Sequence, residues 1–92
     1  MNLDLLAIDF KGTSFCDNEN CAVAKAAKRL FPNAKRISEL VTDLEVTYKN
    51  NKISNYDHEL YVFEDYKIDK AKAKKSKSDS EIIRTIKLTK TS

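Results

Sequence analysis

Cys16-Asp-Asn-Glu-Asn-Cys21-Ala-Val-Ala-Lys-Ala-Ala-Lys-Arg-Leu-Phe-Pro32-Asn33 is the stretch on which the fold turns. Start signal, periodicity, charge placement and stop signal agree along it. Val23, Ala27, Leu30 and Phe31 fall at i, i+4, i+7 and i+8, the apolar stripe of a short amphipathic helix, with Lys25, Lys28 and Arg29 off that stripe toward water. Asp17, Asn18 and Asn20 are good N-cap types, and Glu19 adds negative charge where the helix dipole favours it. Pro32 cannot continue the helix, and Asn33 tolerates a left-handed conformation.

Upstream, Leu3-Asp-Leu-Leu-Ala-Ile-Asp-Phe10 reads as a strand apolar on both faces, hence central, ended by Lys11-Gly12. Downstream, residues 37–48 alternate with period two: Leu40, Thr42, Leu44, Val46 and Tyr48 share one face, as in a half-buried antiparallel strand. Lys49-Asn50-Asn51-Lys52 reads as a hairpin turn, and a two-residue loop pairs Tyr48 with Ile53. The returning strand is strongest at Leu60-Tyr-Val-Phe63, with a break near Asn55. A second helix starts at Glu64-Asp65 and runs to Lys77, with Tyr66, Ile68, Ala71 and Ala73 as its slender apolar stripe. Ser78-Asp79-Ser80 is a loop, and residues 82–88 form a closing strand with Ile82, Ile86 and Leu88 on one face. Residues 67–80 are lysine-rich and prone to fray, and residues 89–92 read as a loose tail.

Strand, helix, strand, strand, helix, strand is the order of an α+β, ferredoxin-like βαββαβ sheet with two helices on one face; the alternative is a looser α+β meander. The first strand, with Tyr61 and Phe63 on the third, then offers apolar side chains to both sides of the sheet. A partner chain covering that open face makes a homodimer the expected assembly.

The 92 residues suit one domain, 1–92, with a modest core. One Gly and one Pro exclude Gly-rich phosphate loops and collagen-like or linker sequence. No apolar run approaches the roughly 20 residues of a membrane span, and the acid at Asp4 replaces the positive charge of a secretory signal, so a cytoplasmic protein is expected. In that compartment Cys16 and Cys21 are expected as free thiols.

Catalytic and metal chemistry find little support. Cys16, Cys21 and His58 supply three zinc ligands at best where a structural site takes four, so neither metal nor cofactor is expected. Cys21 and His58 admit a nucleophile and base, but no third group orients them, and Cys21 reads more simply as a small packed hydrophobe. Asp4, Asp9, Asp43, Glu45, Asp57 and Glu59 admit a divalent-metal cluster, and read more simply as solvated strand faces and turns. An enzyme is not expected.

Charge is the more informative signal. Residues 20–38 hold five bases and no acid, residues 39–65 seven acids and two lysines, and residues 66–78 six lysines and one acid. With both helices on one side of the sheet, Lys25, Lys28, Arg29, Lys35 and Arg36 join Lys67, Lys70 and Lys74 as one basic surface, suited to RNA phosphates or an acidic protein patch. Against this stands the bland reading that such lysines keep a small protein soluble. The Lys/Arg-Gly-Phe type motif of RNA-recognition sheets is absent.

Asn18-Glu-Asn-Cys21-Ala-Val-Ala-Lys25-Ala-Ala-Lys28-Arg29 and Ile83-Arg84-Thr85-Ile86-Lys87-Leu88 resemble segments of small bacteriophage and prophage proteins over about a fifth of the chain. The resemblance implies a protein working in the host cell by binding a host factor. A prominent subset of that class blocks CRISPR nucleases or other defences, which makes a CRISPR effector or its guide RNA the expected partner. The expected function is therefore inhibition of a defence nuclease through the basic helical surface, with a stand-alone RNA-binding module as the alternative.

Overall fold

The structure, a computed structural model, describes residues 1–15 and 18–91; Cys16, Asp17 and Ser92, with the thiol, capping and tail readings placed on them, lie outside the described residues. The chain is α+β. Its elements are β1 (Asn2–Leu6), a 3₁₀ turn (Ala7–Phe10), α1 (Ala22–Leu30), β2 (Ala34–Leu40), β3 (Asp43–Tyr48), β4 (Ile53–Asp57), α2 (Phe63–Lys75), β5 (Ile82–Lys87) and β6 (Thr89–Lys90).

The strands divide between two antiparallel sheets rather than forming one ferredoxin-like sheet: β1 pairs with β5, and a second sheet has the order β2-β3-β4-β6. The helices accordingly do not share one sheet face. α1 packs on both β1 and β2 and joins the two sheets, whereas α2 packs on the 3₁₀ turn and β5. One apolar core results, from Leu3 and Leu5 through the buried Val23 and Ala27 of α1 to Ile37, Leu44, Val46 and Tyr56.

The first strand ends at Leu6 rather than continuing to Phe10 as its apolar pattern suggests, because Asp9 turns the chain. Its carboxylate accepts a hydrogen bond from Leu6 N at 2.8 Å and a bidentate pair from Arg29, and Arg29 also donates to Asp4 O at 3.1 Å. Those contacts stabilise residues 7–10 as a 3₁₀ turn in place of continued strand. At the start of α1 the cap is Cys21, whose Sγ accepts from Ala24 N at 3.3 Å, rather than Asn18 or Asn20.

Residues 37–48 are two strands, not one. Val41 has φ 54°, and a two-residue turn at Val41-Thr42 folds β2 onto β3 with Leu40 opposite Asp43. The turn after β3 lies where Asn50 and Asn51 place it. It holds three residues rather than two, Asn51 taking φ 65°, so Ile53 sits opposite Thr47 instead of Tyr48. β4 is the polar Ile53–Asp57 segment, whose one deeply buried side chain is Tyr56, while residues 60–62 are irregular and Phe63 opens α2. The apolar, two-sided third strand is therefore not formed, and self-association no longer follows from it.

α2 runs as continuous helix to Lys75, and it buries Tyr66, Asp69 and Ala73 while leaving Ile68 exposed. A bulge between Leu5 and Leu6 shifts the β1–β5 register, so Ile86 is buried opposite Leu3 whereas Ile82 is exposed. Thr89 and Lys90, read as tail, form β6 against Asp57 and Tyr56. Among the described residues, no helix is long and apolar enough to cross a membrane.

Candidate functional site

The eight basic residues singled out in the sequence fall into separate settings. Arg29 is committed to the fold: its partner Asp9 is 2% exposed, and the paired carboxylate holds the guanidinium pKa above its ordinary value. Lys28 Nζ donates to Glu19 O at 3.4 Å, and Arg36 Nε pairs with Glu19 Oε1 at 2.7 Å, so these two flank one acidic residue. Lys35 Nζ, on β2, donates to Asn51 Oδ1 at 3.2 Å.

Lys25, Lys70 and Lys74 meet around the Lys11-Gly12 turn. Gly12 has φ 65°, a conformation in which side chains are strained. The Lys25 Nζ donates to the Lys11 carbonyl at 2.6 Å, and Asn20 Nδ2 donates to the Gly12 carbonyl at 3.2 Å. The turn forms one wall of a cleft of about 420 Å³ that Lys70 and Lys74 also border. Its one acid, Asp79, pairs with Lys11 at 2.8 Å. Further along α2, the Lys67 ammonium sits 5.2 Å from the Phe63 ring centroid and Lys70 lies 5.7 Å from that of Tyr66. The basic surface is thus centred on α2, with Lys25 as the contribution from α1.

Two polar groups fix the orientation of α2. Asp69, 1% exposed, accepts from the Tyr61 hydroxyl and from Arg84 Nε, and Arg84 lies over the Tyr61 ring at 5.2 Å. Burial and the Asp69 carboxylate push the Tyr61 phenol well above its ordinary range. On the neighbouring side, Thr13 Oγ1 hydrogen-bonds Tyr66 Oη at 2.9 Å. These contacts turn the buried side of α2 to β5 and the 3₁₀ turn, which leaves its lysines outward.

The second cluster is Cys21, Glu39 and His58. Cys21 and Glu39 line a largely apolar cavity of about 240 Å³ together with Val41, Leu60 and Tyr61. Cys21 Sγ lies 3.9 Å from Glu39 Oε2, and the buried His58 places Nε2 3.2 Å from Glu39 Oε1, close enough for an ion pair but off line for a hydrogen bond. His58 Nδ1 is 2.8 Å from Glu59 O. Burial lowers the His58 pKa, yet the Glu39 carboxylate, the Glu59 carbonyl and the charges of Glu39 and Asp43 outweigh it, so the net shift is upward. Burial also pushes the Cys21 thiol up, away from the reactive thiolate. Glu39 thus contacts both the thiol and the imidazole, and Cys21 caps α1 beside the Glu39–His58 pair. Among the described residues no group of three or more His, Cys, Asp or Glu is placed to hold a metal ion.

Phe15 escapes the sequence reading, and Phe63, read there as an apolar strand residue on an open sheet face, is instead the first residue of α2. The available signal is its phase: Phe63, Lys67, Lys70 and Lys74 stand at i, i+4, i+7 and i+11. Compared with known proteins, the chain matches no family model, and no curated protein or solved structure gives a significant match.

Proposed function

We propose that the protein is a small non-catalytic binding protein that engages a polyanionic partner through the lysine-rich surface centred on α2. The observation that carries this reading is the convergence of Lys25, Lys70 and Lys74 with Lys11 around one turn, extended by Lys67. Among the described residues, one of these five lysines is paired with an acid, Lys11 with Asp79. Clustered cations of this kind raise the local potential and speed encounter with a polyanion. The raised Cys21 pKa favours binding over catalysis. The phage-type resemblance of residues 18–29 and 83–88 supports a partner among host defence factors, a CRISPR effector or its guide RNA in the host cytoplasm, and inhibition by masking that partner.

The test is capture from host lysate by the wild type and by the variant carrying Lys67→Glu, Lys70→Glu and Lys74→Glu, with and without nuclease treatment. The reading expects a partner retained by the wild type and lost by the variant, with both proteins equally folded by circular dichroism. Equal capture by both overturns the assignment of α2. Capture that survives nuclease identifies the contact as protein; capture abolished by it identifies nucleic acid.

A further inference from the structure

The lysine surface ends in an aromatic recess. Phe63 is 49% exposed at the first position of α2. Its ring meets Phe15 edge-on with centroids 5.2 Å apart, and lies at 25° to Tyr66 with centroids 6.4 Å apart. Thr13, Ser14, Phe15, Phe63, Tyr66 and Lys70 border a broad, open hollow of about 630 Å³. From Phe63 the stripe of Lys67, Lys70 and Lys74 runs along one face of the helix for about 16 Å, at 1.5 Å per residue. Glu64 lies about 100° around the helix from Phe63. Asp65 is turned toward Arg84 at 4.0 Å. The nearest acids are thus off the stripe.

Resting on the reading of the lysine surface above, we propose that this face of α2 takes a single strand of nucleic acid, with phosphates along Lys67, Lys70 and Lys74 and a base stacked on the aromatic recess of Phe15 and Phe63. Cations alone attract any polyanion. A half-exposed aromatic ring in line with them adds a stacking face that an unstacked base can use, whereas a duplex hides its base faces and a polyglutamate chain has no ring to stack. One cation–ring contact fits this use: the Lys67 ammonium rests over the Phe63 ring, the face a stacked base would take. Stacking is sequence-tolerant, so the preference is for single strands rather than for a sequence.

The experiment is fluorescence anisotropy with labelled oligouridylate of about ten nucleotides, within the span of single-strand sites. A duplex of equal length and a polyglutamate peptide are the competitors. Single-strand affinity should exceed duplex affinity, and Phe63→Leu, which keeps apolar packing, should weaken it roughly 5- to 100-fold. Phe63→Tyr should retain it. The chain has no Trp, so Phe63→Trp introduces a lone indole whose fluorescence is quenched when a base stacks on it, a readout independent of any loss of stability. Equal binding of single strand and duplex, with an unquenched indole and no effect of Phe63→Leu, overturns the stacking inference and leaves the lysine surface standing. Binding of polyglutamate without nucleic acid overturns the choice of partner and likewise leaves that surface. Binding of no polyanion at all removes both.

Discussion

Replacing Asp69 with Ala should loosen α2 from the body of the protein, and the structure sets the size of the effect. Asp69 accepts from the buried Tyr61 hydroxyl and from Arg84. Leaving the hydroxyl without an acceptor costs about 1–3 kcal/mol. Arg84 is 35% exposed on its side chain, so its guanidinium turns to water and contributes about 1 kcal/mol or less, well below the loss for a fully buried pair. Ala is the better helix former by roughly 0.5 kcal/mol, which offsets part of this. The net loss is about 2 kcal/mol, a sizeable part of the roughly 5–15 kcal/mol holding a domain of this size together. The urea midpoint should fall by about 1 M for a slope of about 2 kcal/mol per M, and Tm by roughly 8–16 °C. Tyr61→Phe should cost about 1 kcal/mol, and the double variant should cost less than the sum because both report on one hydrogen bond. An Asp69→Ala loss below about 0.5 kcal/mol, or strict additivity, would refute the claim that this network positions α2.

Arg29→Ala should destabilise by about 2–3 kcal/mol, because the buried Asp9 carboxylate keeps only the Leu6 N–H, whereas Lys28→Ala should stay within about 0.5 kcal/mol; equal urea midpoints contradict this. His58 has a folded-state pKa above its ordinary 6.5, so its contribution is fully present below that pH and is lost as pH rises through the raised value. Tm measured from about pH 6 to pH 9 should therefore fall, and His58→Gln should flatten the slope; identical slopes count against the Glu39–His58 pair. Val41, 69% exposed at φ 54°, is a β-branched residue in a left-handed turn, so Val41→Asn should raise stability by about 0.5–1 kcal/mol, and a loss would show that its side chain packs.

How much of this was legible differs element by element. The stripe of α1 shows in sequence in part: Val23 and Ala27 are buried as that spacing demands, but Ala22, Ala24 and Ala26 are buried beside them and Leu30, at the end of the stripe, is exposed. The Asn50-Asn51 turn shows because Asn tolerates positive φ. The Val41-Thr42 turn does not show, since a β-branched residue at positive φ runs against local preference and is held by pairing on both sides. Asp9 and Asp69 look like surface acids until Arg29 and Arg84, 20 and 15 residues away, are folded against them. The same long-range contacts remove Arg29 from the basic surface and orient α2 so that Lys67, Lys70 and Lys74 face outward. The charge alternation was readable; which cations remain available depended on tertiary pairing.

The dependence of oligouridylate affinity on salt tests the α2 surface most directly. For single strands the log–log slope is about −0.7 per phosphate neutralised, so contacts from Lys25, Lys67, Lys70 and Lys74 predict a slope of about −3. The variant carrying Lys67→Glu, Lys70→Glu and Lys74→Glu should bind far more weakly, with a slope no steeper than about −1. A folded variant with the affinity and slope of the wild type would contradict the account.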